Sequence, residues 1–265
     1  MHAIKKYFRE YFWFFYKEEE LFNGPGLYSN VKVTKRADRV NLFTGKENYL
    51  QTSINTDIDP YGSHFDWYLA APWFSGNFDG TINSLLILGL GGGAQVKTYN
   101  KVYKVSRITA VEIDPLIIEL GKKFFSLNDS NLNTINADSS EFINTDLTTY
   151  DQIILDSFKE NLFDENCHSS PFLQKLSERL SKNGVLMVNK VNIDTGNTET
   201  GKMLKKYFKT VITLQIKYSL FFIATNSSSA PKTADNVLII LKDAIKTTNA
   251  LNFFTKLRLK QINIL

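Results

Sequence analysis

An α/β fold, with a largely parallel sheet covered by helices on both faces and a small antiparallel sheet ahead of it, is what this sequence predicts. Three observations carry the expectation. From Ser84 onward, short apolar runs alternate with amphipathic ones, as strands and crossover helices do in parallel sheets. Ser84–Leu88 is a short apolar stretch running into glycine, the pattern of a strand buried on both faces. Between Val31 and Ser53, three β-rich stretches are separated by tight turns.

The 265 residues divide into an N-terminal part, residues 1–60, and a larger α/β domain, residues 61–265. Hydrophobic residues at 43% and charged residues at 22% are ordinary for a globular chain and exclude wholesale disorder. The single cysteine, Cys167, permits no internal disulfide, which fits a reducing compartment. With three histidines beside it, no metal site is expected. A net charge of +4 without a long basic run gives no reason to expect a nucleic-acid partner. No stretch approaches the ~20 apolar residues of a membrane span.

The N-terminal segment His2–Phe22 starts with lysines and carries six consecutive aromatics, Tyr11 to Tyr16. Glu10 and the lack of a small-residue cleavage site speak against a signal peptide. A short helix packed on the domain or on a second copy is expected, with interfacial membrane contact as the alternative. The overall expectation is a soluble cytoplasmic protein without a membrane partner.

The elements follow in order. Asn23–Gly26 reads as a turn, and Val31–Arg36, Arg39–Thr44 and Asn48–Ser53 as an antiparallel sheet. Tyr61–Phe74, rich in aromatics, reads mainly as helix. Then come strand Ser84–Leu88, helix Gly93–Val102, strand Arg107–Glu112 and helix Pro115–Phe125, opened by proline in its first turn. Strand Leu132–Asn136, helix Ser139–Asn144, strand Tyr150–Asp156 and helix Ser170–Leu180 continue the rhythm. Lys182-Asn183-Gly184 reads as a turn into strand Gly184–Asn189, and Thr198–Phe208 as a further helix. Of the apolar runs Val211–Lys217, Leu220–Thr225 and Val237–Lys242, at least two should close the sheet, one of them antiparallel.

The chemistry gathers at strand ends. Leu85–Gly93 runs from a strand through a glycine-rich turn into a helix, whose N-terminus offers unpaired N–H donors. Glu112 ends the next strand near the spacing of an acid that accepts both ribose hydroxyls. Asp138 and Asp156 end the third and fourth strands. Four such features on one sheet edge point to a nucleoside-bearing ligand. Gly89–Ala94 also fits G-x-G-x-x-A, which suits NAD. Against NAD stand Asp138 beside Ser139, suited to an adenine amino group, and the absence of a second mononucleotide half.

On these residues the chain resembles the spermidine synthase-like group of class I AdoMet-dependent transferases. The match covers residues from about 31 to 241 and is closest to members with G-L-G-G-G in the turn. It rests on residues 88–93, Val-Glu-Ile-Asp-Pro at 111–115, Ala-Asp-Ser at 137–139, residues 150–158 and residues 183–189. The resemblance implies a Rossmann-like domain with a small β-domain over its mouth, often in a homodimer. It implies a donor, S-adenosylmethionine or its decarboxylated form, held by Gly89, Gly91, Gly93, Glu112, Asp138 and Ser139. Gln51 looks like the glutamine that reaches the donor from the β-domain.

Three departures from the aminopropyltransferase pattern bear on the acceptor. The second acid of Asp-Ser-Ser-Asp falls on Lys159, the turn aspartate on Gly92, and Tyr-X-Glu on His64-Phe65-Asp66. The first two remove acids that would meet a diamine. Methyl transfer to an unidentified small-molecule acceptor is therefore the first expectation, with Asp156, His64 and Asp66 beside the acceptor. Aminopropyl transfer to a polyamine is the alternative, with Glu160 or Asp164 replacing the missing acid. A non-catalytic ligand-binding homologue and NAD-linked redox chemistry follow. Cys167-His168 is a weak nucleophile–base pair, because adjacent side chains point apart. Tyr61, Trp67 and Trp73 read as core.

Overall fold

Two β-sheets organise the computed structural model, which describes residues 15–55, 64–76, 78–159, 162–163, 165–191, 197–216, 219–247 and 259–265. The first sheet holds four antiparallel strands in sequence order: β1 (Glu19–Pro25), β2 (Asn30–Arg36), β3 (Arg39–Thr44) and β4 (Tyr49–Asn55). Strands β2 to β4 lie where the β-rich stretches place them. Strand β1 is a correction: Glu19–Phe22 is extended rather than helical, and Asn23–Pro25 continues the strand instead of turning. Pro25 is tolerated because β1 is an edge strand and its last residue needs no ladder donor. The rest of the expected N-terminal helix, residues 2–14, lies outside the described residues.

One face of this sheet is apolar. Val31, Val33, Val40, Leu42 and Ile54 are buried and pack on Ala94, Ile117, Leu120 and Phe125 of the second unit. A 3-10 segment, His64–Ser75, then crosses to the larger sheet. It falls within the expected helix but is more tightly wound, with Pro72 inside it.

The remaining elements are β5 (Thr81–Leu88), α1 (Ala94–Val102), β6 (Lys104–Glu112), α2 (Pro115–Phe124), β7 (Leu132–Asn136), α3 (Ser139–Thr145) and β8 (Tyr150–Leu155). A short hairpin, β9 (Phe158–Lys159) and β10 (Leu162–Phe163), follows. After it come α4 (Ser170–Glu178), β11 (Leu180–Val191), α5 (Asn197–Tyr207), β12 (Thr210–Ile216), β13 (Ser219–Thr225), α6 (Ala234–Thr247) and β14 (Leu259–Ile264). The sheet order is β14-β12-β13-β11-β8-β5-β6-β7, with β11, β8, β5, β6 and β7 parallel. Strand β13 runs antiparallel to β11 and β12, and β14 antiparallel to β12. The predicted α/β class holds.

Three details differ from expectation. Val237–Lys242 lies within helix α6, not a strand. The edge partner of β12 is instead β14, which the apolar runs did not mark. Lys182–Gly184 is part of a continuous β11, and the expected turn survives as a register shift against β8 between Leu180 and Val185.

Helices cover both faces of the large sheet. Buried residues on one side include Leu85, Ile87, Val96, Tyr99, Ile154 and Phe221, and on the other Leu86, Leu88, Ile153, Leu155, Leu173 and Leu186. Two tyrosines of the α1 region anchor the 3-10 segment to the first face. The Tyr99 hydroxyl donates to the Tyr68 carbonyl and receives Gln152 Nε2, while the Tyr103 hydroxyl donates to the Leu69 carbonyl and receives Trp73 Nε1. These bonds satisfy polar groups in a dry layer, where an unmade bond costs about 1–3 kcal/mol.

Tyr99→Phe therefore strands the Gln152 amide and the Tyr68 carbonyl and should lower unfolding stability by about 1–3 kcal/mol. Urea denaturation with an unchanged slope checks this. A midpoint equal to that of the parent protein would show that the anchor carries no energy.

Candidate active site

Strand β5 pairs with β6 on one side and β8 on the other, so the strand order reverses between β5 and β8. Ligands of open α/β sheets bind at the carboxyl ends of strands around such a reversal. Gly89 follows β5 and Asp156 follows β8, and the Asp156 N–H donates to the Leu88 carbonyl at 2.8 Å. A Cβ on Gly89 would stand 2.3 Å from the Asp156 carbonyl oxygen, and its φ is +92°. Only glycine allows this approach.

The glycine turn cannot satisfy all of its own amides, and side chains from two directions serve it. Glu112, at the end of β6, accepts the Gly91 N–H at 3.0 Å on one carboxylate oxygen and the Asp114 N–H at 3.1 Å on the other. Thr52, from β4 of the small sheet, accepts the Gly92 N–H at 2.8 Å. Gly93 has φ +83° and caps α1, and its missing Cβ makes room for Leu127. Its role is packing, whereas Gly89 and Gly91 line the cleft.

Asp114 ties the two sheets together. One oxygen caps α2 through the Leu116 N–H at 2.9 Å, and the other accepts the Leu27 N–H at 2.7 Å from the β1–β2 turn. Asp138 caps α3 in the same manner, accepting the Ser140 N–H at 2.7 Å. The resulting cleft spans about 780 Å³ of space between its walls, open solvent at its mouth included.

Of the residues expected around the donor, Gln51, Gly89, Gly91, Glu112, Asp138 and Ser139 all line this cleft, as does Asp156. Cys167 also reaches it, while His168 is buried, and burial with Lys190 nearby pushes its pKa down to about 3. That histidine is neutral at any ordinary pH and is a poor general base. His64 and Asp66 stand in the 3-10 segment, but their side chains lie outside the described residues, as does that of Lys159. Glu160 and Asp164 lie outside them altogether.

Charge distinguishes the site. Glu112, Asp114, Asp138 and Asp156 all line the cleft, and no lysine or arginine does among the described residues. Burial raises the pKa of Glu112 and lifts that of Asp156 to about 6, the latter opposed by hydrogen bonds from Asn189, Tyr68 and Gln95. A cation entering the cleft favours the ionised carboxylates.

With this geometry in hand, residues 74–233 match the family model described as Spermine/spermidine synthase domain. The chain belongs to that family. It is 27% identical over 190 residues to a probable polyamine aminopropyl transferase of Bifidobacterium longum, covering 72% of this chain and 42% of that protein. It is 29% identical over 145 residues to an eEF1A lysine and N-terminal methyltransferase homolog of Drosophila melanogaster, covering 50% of this chain and 21% of the other. The chain thus spans less than half the length of either relative. A probable spermidine synthase from Corynebacterium glutamicum superposes with a TM-score of 0.69 at 16% identity, covering 83% of this chain and 86% of the other. The shared fold is the Rossmann-like one that the motifs imply.

Thr52, Asp114, Gln95 and Asn189 were not singled out for the site by sequence. Asp114 carried a signal, since an Asp before Pro115 is a helix-start pattern. The other three are placed by long-range packing.

Thr52→Val keeps the shape but leaves the Gly92 N–H without an acceptor in a buried position. It should cost about 1–3 kcal/mol of stability and weaken nucleoside binding by loosening the turn. Thermal melting with and without S-adenosylhomocysteine checks both effects; an unaltered melt and unaltered ligand shift would remove Thr52 from the site.

Proposed function

We propose that the chain transfers an aminopropyl group from decarboxylated S-adenosylmethionine to an amine. The observation that carries this reading is the charge of the cleft, with four carboxylates and no lysine or arginine among its described lining residues. Decarboxylated S-adenosylmethionine presents a sulfonium and an ammonium and no carboxylate, so it meets complementary charge throughout. S-adenosylmethionine would bring its own carboxylate against that acidic wall. The name of the Bifidobacterium relative supports the same choice, and it reverses the order expected from Gly92 and Lys159.

Each Glu112 oxygen holds one backbone N–H and retains a second lone pair, a set that fits the two hydroxyls of a ribose. Gln51 and Ser139 supply further polar contacts along the cleft. Asp156 then acts on the acceptor. As the amine nitrogen attacks the carbon next to the sulfonium, the carbon–sulfur bond breaks and methylthioadenosine leaves as a neutral thioether. Asp156 takes the proton released from nitrogen, a task suited to a carboxyl that titrates near 6.

Methyl transfer to an amine is the second reading. It is favoured by the two positions where family acids are replaced, Gly92 and Lys159, and by the name of the Drosophila relative.

Product analysis separates them. Incubation with either donor and a panel of di- and polyamines should yield methylthioadenosine from the decarboxylated donor, with little S-adenosylhomocysteine from the other. Predominant S-adenosylhomocysteine would select methyl transfer, and neither product would leave a ligand-binding protein. Glu112→Ala should weaken binding of methylthioadenosine at least about tenfold, from the loss of charge-assisted hydrogen bonds to the ribose, as titration calorimetry would show.

A further inference from the structure

We propose that Gln95 and Asn189 are positioning residues for Asp156, gripping its two oxygens from behind so that the remaining lone pairs face the cleft. This rests on the reading above, in which Asp156 takes the acceptor's proton. Gln95 Nε2 donates to Asp156 Oδ2 at 2.8 Å, and Asn189 Nδ2 donates to Asp156 Oδ1 at 2.9 Å. The three residues come from the first turn of α1, from β11 and from the end of β8, so the grip depends on the whole sheet.

Packing alone does not explain these amides. Gln95 and Asn189 are each only 3% exposed, in places that an aliphatic side chain of similar size could fill. Burying an amide is unfavourable unless its bonds are made. Asn189 Oδ1 has no hydrogen-bond partner among the described residues, and the hydroxyl of the fully buried Tyr68 stands beside Asp156. Asn189 thus gives up one satisfied atom in order to present its N–H to Asp156. Tyr68 lies on the 3-10 segment that Tyr99 and Tyr103 clamp, and burial together with the charge of Asp156 keeps its phenol protonated. The groups facing Asp156 are therefore two neutral amides, a neutral phenol and, across the cleft, the carboxyls of Glu112 and Asp138.

Two fixed N–H donors do two things. They hold the carboxylate plane in one orientation, and they favour its ionised form against burial, which acts in the opposite direction. Loss of either donor makes Asp156 harder to ionise. A side chain with only a structural role would lower activity without moving that titration.

The test uses Gln95→Met and Asn189→Leu in the full chain, each first shown to melt cooperatively and to bind methylthioadenosine as the parent does. The acid limb of kcat/KM for amine transfer should move to higher pH by roughly 1–2 units in each variant. Independently of turnover, carbon-13 NMR of labelled aspartate carboxyls, with Asp156→Asn to assign the signal, should show the same upward move. If the parent protein transfers nothing while the NMR titration moves as expected, the proposed reaction fails and the positioning stands. If the Asp156 titration stays in place in both variants, the positioning role is wrong whatever the reaction. Should Asn189→Leu fail to melt cooperatively, Gln95→Met alone decides, because it keeps chain length and helix propensity.

Discussion

The turn from Gly89 to Gly93 bends too sharply to pair all of its backbone N–H groups internally, and much of the site is arranged around that shortfall. Glu112 serves Gly91 and Thr52 serves Gly92. Glu112 is thereby fixed in place, and the small sheet is fastened over the mouth of the large one. Gly89 itself passes so close to the Asp156 carbonyl that Asp156 and the turn share one register. Displacing any of these partners leaves a buried amide unpaired, and that penalty makes the arrangement specific.

Acidity of the cleft is a strain that a ligand relieves. Four carboxyls line the cleft, and burial holds two of them, Glu112 and Asp156, toward their protonated forms. Raised acid pKa values mean that the folded chain retains protons that the unfolded chain loses. For Asp156 the stability supplied by the empty cleft consequently falls as pH rises from about 4 toward 6.

The parallel core was legible because strands such as β5 and β8 are short apolar runs bounded by turns, and because acids stand at their carboxyl ends. The last apolar run was not. Residues 237–242 read Val-Leu-Ile-Ile-Leu-Lys, too short and too evenly apolar for its period to separate strand from helix, and tertiary packing made it helix α6. Strand β14, Leu-Lys-Gln-Ile-Asn-Ile, has a weak pattern because it covers an edge. At the site, Glu112, Asp138 and Asp156 could be read from spacing along the chain. Thr52, Gln95, Asn189 and Tyr68 could not, since each meets a site partner some 33 to 88 residues away, where no local pattern records the meeting.

The bond from the Leu27 N–H to Asp114 spans 87 residues of chain. The complete cleft, with Tyr28, Val31 and Thr44 on one wall, exists only while the small sheet is latched to the large one. A nucleoside ligand selects that latched state alone. By mass action it stabilises the small sheet's attachment without touching most of it.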